Sequence, residues 1–253
     1  MIFGLWGDDK TGKTTLALSF PKPMLYQEID IGGFERAKSK FLPEINSGQV
    51  IVKKYIMPLQ FGNLDVAKLQ ITPSKKVVGM RELYYQILAD YVIALRDPNI
   101  KTIVVDTGTL LWEITTDAYL QEKQEAQPDK LRAQLTELEY KEPNIRMRGF
   151  VYNAKAMDKH LVLTHHSREE YANAMVNGQS TKAPTGRKER SGWKSLGDGA
   201  DMIVHTYLKG AGKDAKYYCQ VDLTFTQAMA GFEMLDPTYE KLSKMEKMMR
   251  GES

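Results

Sequence analysis

Gly7-Asp8-Asp9-Lys10-Thr11-Gly12-Lys13-Thr14 obeys the pattern G-x-x-x-x-G-K-[ST], and its neighbours decide how it is read. Ahead of it stands the apolar run Ile2-Phe3-Gly4-Leu5-Trp6; behind it Thr14-Thr15-Leu16-Ala17-Leu18-Ser19-Phe20 opens as a helix. In a strand–loop–helix setting the pattern wraps phosphates, whereas an ordinary Gly/Lys turn has no such flanks. Gly7 and Gly12 let the backbone curl until successive N–H groups point at an anion. Asp8, Asp9, Lys10, Thr11 and Thr15 complete the expected cradle. The helix start adds the positive end of its dipole, Lys13 reaches the β- and γ-phosphates, and the Thr14 hydroxyl coordinates Mg²⁺. A nucleoside triphosphate is the expected ligand.

The bulk properties narrow the class. A chain of 253 residues with 42% hydrophobic and 26% charged side chains suits one α/β domain. The formal net charge is only +3, so any affinity for nucleic acid has to come from local patches. Cys219 is the sole cysteine, which excludes an intramolecular disulfide and a cysteine metal cluster. A reducing, cytoplasmic setting follows as an expectation, with no leader ahead of the first strand. No apolar run approaches bilayer-spanning length, and no membrane partner is expected.

Outward from the loop, Met24-Leu25-Tyr26 reads as a second strand ending in Glu28-Ile29-Asp30 before Gly32-Gly33. Val50-Ile51-Val52 and Tyr55-Ile56-Met57 read as short strands, with a loop over 58–76. Leu83, Ile87, Leu88, Tyr91, Val92 and Leu95 recur at helical spacing, predicting a helix over 80–95 that Asp97-Pro98-Asn99 stops. Thr102-Ile103-Val104-Val105-Asp106 is a buried-strand pattern with an acid at its end. Residues 117–142 carry seven acidic and four basic side chains, a break at Pro128 and the stripe Leu131, Leu135 and Leu138. They predict a polar helical excursion, solvated or facing a neighbouring subunit. A helix over 151–159 follows, then the strand His160-Leu161-Val162-Leu163-Thr164 running into His165-His166, and a mobile basic loop over 167–199. Strands over 202–208 and 217–226 and a C-terminal helix within 237–253 complete the chain. Strands alternating with helices predict a mostly parallel sheet with helices on both faces.

Hydrolysis needs more than a phosphate loop. Asp106, ending a strand of apolar and β-branched residues, suits the second magnesium position beside Thr14. A carboxylate has to orient the attacking water; Asp30 is the first candidate and Glu28 the alternate, both at a strand end facing the site. His165 or His166, where the strand leaves the sheet, could sense the γ-phosphate. No further ligand cluster lies near them to make a metal site. The stretch from Lys182 to Lys194 holds five cations, Lys182, Arg187, Lys188, Arg190 and Lys194, against Glu189 alone. With Trp193 inside it and Tyr171 upstream, it predicts a platform for single-stranded DNA. A merely solvated basic loop is the plain alternative, and Arg190 or Lys194 reaching a neighbour's γ-phosphate is another.

This order of parts resembles the RecA-like P-loop NTPase core. More narrowly, the passages 7–23, 30–36, 102–112, 160–171 and 192–201 are similar to the short phage-encoded RecA-like ATPases of single-strand annealing and recombination. The resemblance implies ATP and Mg²⁺ as cofactors, with Lys13 and Thr14 on ATP·Mg²⁺, Asp106 on Mg²⁺ and Asp30 near the attacking water. It implies single-stranded DNA on the loop after His166, and Lys194 as a trans-acting cation. Other copies of the chain in a filament or ring are implied partners, with a single-strand binding protein as a further one in a host cytoplasm. Two rival functions share the loop. One is a small-molecule or nucleotide kinase using Arg187 and Arg190 as a lid; the other is an ATP-dependent assembly factor that binds without hydrolysis.

Overall fold

The computed structural model describes residues 1–58, 63–65, 70–72, 75–176, 179–224, 230–249 and 251. Much of the loop expected over 58–76, the end of the strand expected over 217–226 and the last two residues of the chain lie outside them. The elements run β1 (Ile2–Gly7), α1 (Lys13–Leu18), β2 (Met24–Glu28), α2 (Gly33–Ala37), α3 (Leu42–Asn46) and β3 (Val50–Lys54). After the small pair β4 (Asn63–Asp65) and β5 (Gln70–Thr72) come α4 (Met80–Arg96), β6 (Thr102–Asp106), α5 (Gly108–Ala126) and α6 (Lys141–Ala156). The rest is β7 (His160–Val176), β8 (Gln179–Arg190), α7 (Leu196–Gly199), β9 (Met202–Lys209), β10 (Lys216–Thr224), β11 (Glu233–Leu235) and α8 (Tyr239–Met249).

The main sheet has the order β11-β10-β9-β1-β7-β6-β2-β3. From β9 to β3 neighbouring strands are parallel, and β10 and β11 add an antiparallel edge. This is the mostly parallel α/β sheet expected, with helices on both faces, and β7 separates the phosphate-loop strand β1 from the acidic strand β6. Both faces are covered because the central strands are apolar at consecutive positions. Ile103, Val105, Leu161 and Leu163 pack under α4, α5 and α6 through Leu83, Ile87, Leu111, Ile114 and Phe150. Val104 and Val162 turn to the other face, with Leu16 and Phe20 of the α1 side and Leu242 of α8.

Three expectations are corrected. Residues 117–126 are not part of an excursion: α5 carries through to Ala126, and its buried Gln121 and Gln124 serve as anchors, whereas the residues beyond it to 142 are mostly exposed. Gln121 accepts from the Arg81 N–H, while Gln124 accepts from the Val77 N–H and donates to the carbonyls of Lys75 and Arg132. Of the leucine stripe only Leu135 is buried; Leu138 is 90% exposed, because no single helix runs through all three. Tyr55-Ile56-Met57 is not a strand, since β3 ends at Lys54.

The largest correction concerns 167–199, which is no loop over most of its length. β7 continues past the sheet and pairs antiparallel with β8, from Ser167 opposite Arg190 to Val176 opposite Gln179. The projecting arm has little core of its own and is held by cross-strand polar pairs. Arg168 lies opposite Glu189 and pairs with it at 2.8 Å, and the Thr185 hydroxyl donates to Glu170 at 2.8 Å.

Candidate functional site

Parallel strands place their C-terminal ends on one edge, and the side chains that matter leave from the ends of β1, β2, β6 and β7. His166 stands level with Gly7, and Asp106 level with Glu28. The loop after β1 needs glycine at its start: Gly7 has φ +153°, and a Cβ there would lie 2.1 Å from the Thr206 carbonyl oxygen. Gly33, at the start of α2, comes so close that a Cβ would lie 3.2 Å from Thr14 Oγ1 and 3.3 Å from Asp106 Oδ2. The result is one cleft lined by residues 9–15 of the loop, Asp30, Arg36, Lys40, Asp106, His166 and Tyr217.

Inside it, Lys13 is buried and its ammonium donates to the carbonyls of Gly7 (2.9 Å) and Asp8 (2.6 Å). Burial pulls its pKa down, against the opposing pull of Asp106, Asp9, Asp8 and Asp30. The Thr14 hydroxyl donates to Asp106 Oδ2 at 2.8 Å. Tyr26 donates to the same oxygen, and Thr164 donates to Oδ1. Desolvation and the adjoining carboxylate push the Tyr26 phenol well above its ordinary value, so it stays a donor. A hydroxyl touching a carboxylate at the foot of a phosphate loop is a hard-oxygen donor set that fits Mg²⁺, which keeps several waters and takes the rest from phosphates. Among the described residues no cluster of three or more His, Cys, Asp or Glu side chains offers another metal site.

Asp30 opens onto the cleft, its N–H tied to the Asp106 carbonyl at 3.0 Å and Oδ2 3.5 Å from His166 Nε2. The other imidazole nitrogen is 3.6 Å from Asp9 Oδ1, so His166 bridges the phosphate loop and the water side of the cleft. Burial raises the Asp30 carboxyl; His166 opposes this, whereas Asp106 and Asp9 add to it.

Glu28 does not line the cleft. It is 2% exposed, accepts from the Gly32 N–H at 3.3 Å and lies 3.4 Å from Lys54 Nζ, so of the two carboxylates only Asp30 reaches the cleft. His165 is also corrected. Successive strand side chains alternate, so Thr164 and His166 reach the cleft side while His165 turns under α5. There it is fully buried, with Nδ1 3.1 Å from the Ser191 carbonyl oxygen. Desolvation, with Arg190 adding, holds its pKa well below the ordinary histidine range. The position suited to sensing is His166.

The basic stretch divides into two parts. Lys182, Arg187 and Lys188 are exposed on the arm, with Tyr171 (55% exposed) on the facing strand. Trp193, expected to stack on bases, is 2% exposed, and its indole donates to Asn144 Oδ1 at 2.8 Å. Arg190 is partly buried at the root of the arm, donating to the carbonyls of Trp193 (2.9 Å) and Lys194 (3.3 Å); burial pulls its pKa down to about 10. Lys194 is exposed and lies beside Arg168, Tyr171, Lys182 and Glu189, not in the cleft of its own chain. The arm also touches the phosphate loop: Lys188 Nζ lies 2.5 Å from Asp8 Oδ2, and the Ser167 hydroxyl donates to Asp8 Oδ1. Those two contacts hold the Asp8 carboxyl below its ordinary value.

Sequence reasoning missed Arg36, Lys40 and Tyr217. Arg36 and Lys40 follow the paired glycines, but no spacing rule says that a single turn of helix returns them to the cleft. Tyr217 comes from β10 in the antiparallel part of the sheet, its ring lying over Gly12, with Lys40 Nζ 5.7 Å from the ring centroid. Beyond it a less polar groove is lined by Leu16, Phe41, Tyr217, Asp236 and Pro237.

A family model described as "AAA domain" matches residues 1–226. No curated protein matches by sequence. Among solved structures, a KaiC-like protein from the hyperthermophilic archaeon Pyrococcus horikoshii is similar at 14% identity, with 92% of this chain and 83% of that chain covered and a TM-score of 0.44. No helix among the described residues is long and apolar enough to cross a membrane.

Proposed function

The chain belongs to the AAA domain family, a P-loop NTPase family, and from that premise we propose that it is a Mg²⁺-dependent ATPase that holds single-stranded DNA, acting in recombination or strand annealing. The observation that carries the hydrolytic half is the single cleft in which Lys13, Thr14, Asp106, Asp30 and His166 meet. Phosphoryl transfer is mostly positioning and charge neutralisation. Lys13 binds and neutralises the β- and γ-phosphates. Thr14 and Asp106 would hold Mg²⁺, which screens the phosphate charge when bound. Asp30 orients water and accepts its proton, and His166 hydrogen-bonds at the γ-phosphate end. The groove beyond Tyr217 has the size and apolar lining to take a nucleobase.

An ionised Asp30 is the working form, and its carboxyl is raised by burial. Activity therefore increases with pH as Asp30 deprotonates, and the acid limb of kcat/KM is expected above the ordinary carboxylate value of about 3.9. Asp30→Asn is expected to remove that limb and lower turnover by roughly 10²- to 10⁴-fold. A pH–rate profile measures both; an unchanged limb in the variant assigns the water to another group.

Support for the DNA half is the projecting arm with exposed Lys182, Arg187, Lys188 and Tyr171. Cations spaced along a strand suit a phosphate backbone, and an exposed ring suits a base. Because Lys188 is engaged with Asp8, the clean test neutralises Lys182 and Arg187 together. Single-strand affinity is expected to fall and the slope of log K against log salt to flatten by about 1.4, from roughly 0.7 for each lost phosphate contact. An unchanged slope removes the arm from DNA binding. ATP turnover measured with and without single-stranded DNA tests the whole reading, and stimulation is expected. A kinase would instead need a small acceptor, and half of its expected lid, Arg190, is committed to backbone carbonyls at the arm's root. Assembly with other copies of the chain, with Lys194 presented to a neighbour, belongs to the same proposal.

A further inference from the structure

We propose that Arg36 supplies, from within the same chain, a second cation beside Lys13 that neutralises the γ-phosphoryl group as it is transferred. The proposal rests on the ATPase reading above and assigns one of its missing parts.

The phosphate end of the cleft contains the carboxylates of Asp9, Asp30 and Asp106, and a bound triphosphate adds further negative charge there. Lys13 sits low in the loop, held by the carbonyls of Gly7 and Asp8. A second cation is needed on the open side, where charge spreads over the equatorial oxygens during transfer. Neither Arg190 nor Lys194 lines the cleft of its own chain. Arg36 does.

Its placement follows from the turn after β2. Gly33 lies against Thr14 Oγ1 and Asp106 Oδ2, which sets the first residue of α2 beside the magnesium position. One turn later the Arg36 side chain folds back over that turn, its Nη1 3.3 Å from where a Cβ on Gly32 would stand. The guanidinium is exposed and forms no salt bridge with a described residue, although its field lowers the Asp30 carboxyl. The cations closest to it on α2 and β3 are committed: Lys38 pairs with Glu35, and Lys54 lies between Glu35 and Glu28, while Lys10 lines the cleft from the phosphate loop itself. Lys40 lies toward the Tyr217 ring. Arg36 is thus a planar fork, unpaired among the described residues, near the water-orienting carboxylate, with the donor geometry suited to two phosphate oxygens.

The test compares wild type, Arg36→Ala, Arg36→Lys and Lys13→Ala for ATP turnover and for binding of ATP and ADP. Arg36 is exposed, so the variants are expected to melt as wild type does. Arg36→Ala is expected to lose roughly 10²- to 10³-fold in turnover and much of the preference for ATP over ADP, while ADP binding persists. Arg36→Lys should recover part of both. Mixing Arg36→Ala with Lys13→Ala protein separates the two directions of action, because the second carries an intact Arg36 but a disabled loop. No recovery is expected in the mixture. Recovery would show that Arg36 serves a neighbour's site, and near-normal turnover in Arg36→Ala would remove it from the chemistry; either overturns the proposal. If wild type cleaves no ATP, the ATPase reading fails, and Arg36 is judged by binding alone: an unchanged ATP-to-ADP ratio in Arg36→Ala rejects the assignment, and a lowered ratio keeps it.

Discussion

Lys13→Ala is expected to lower ATP turnover by at least about 10³-fold, equivalent to about 4 kcal/mol of lost transition-state stabilisation. The size comes from where the ammonium sits. It is 8% exposed and faces Asp106, Asp9, Asp8 and Asp30, so its attraction for a phosphate is screened less than at a wet surface. It donates to the carbonyls of Gly7 and Asp8, acceptors that phosphate oxygens would replace on nucleotide binding. Alanine leaves the loop carbonyls to water at the open cleft, so the fold is expected to survive, as a melting curve would show. Phosphate release by the variant at the wild-type rate would place the chemistry elsewhere in the molecule.

Asp106→Ala is the substitution expected to damage both stability and function. Its carboxylate is the shared acceptor for the hydroxyls of Thr14, Tyr26 and Thr164. A buried donor left without an acceptor costs about 1–3 kcal/mol. Tyr26 is fully buried and Thr164 equally so, and those two alone predict a loss of roughly 2–6 kcal/mol. For a chain of this size that lowers Tm by about 4 to 24 °C. Asp106→Asn keeps an acceptor oxygen and most of the shape. It should recover much of the melting temperature while leaving nucleotide binding insensitive to Mg²⁺. Thermal melts together with ATP titrations with and without magnesium measure both effects. A Mg²⁺-dependent affinity in Asp106→Asn equal to that of wild type would free Asp106 from the metal.

The parts legible in the sequence were those in which function and local structure share the same few residues. Gly7 to Thr14 needs particular residues at fixed spacing, and Thr102 to Asp106 is an apolar strand with one acid at its end. The alternating layers followed from the same apolar runs. What was not legible depended on the phase of a side chain or on contacts between distant segments. His165 and His166 are adjacent and alike; which one meets the cleft follows from the alternation that also places Thr164 on Asp106. Trp193 lies in a polar stretch, yet Asn144 and the α5–α6 layer bury it, and nothing in its neighbourhood predicts that partner. Arg36 and Tyr217 reach the cleft only because a single helical turn and the antiparallel strand β10 carry them there. The arm is different, because its signal was present in the sequence, where Asn-Gly at 177–178 is a dipeptide that favours hairpins.

Asp8 belongs to two structures at once, the loop that wraps phosphates and the root of the arm, where Lys188 and Ser167 hold it. Sharing one carboxylate makes their ligands thermodynamically linked. A polyanion that draws Lys188 away from Asp8 changes the free energy of the loop, and so its affinity for nucleotide. Reciprocity then requires nucleotide to change the polyanion's affinity by the same factor. The coupling can have either sign, but it needs no wire through the protein core, because the two sites meet at one side chain.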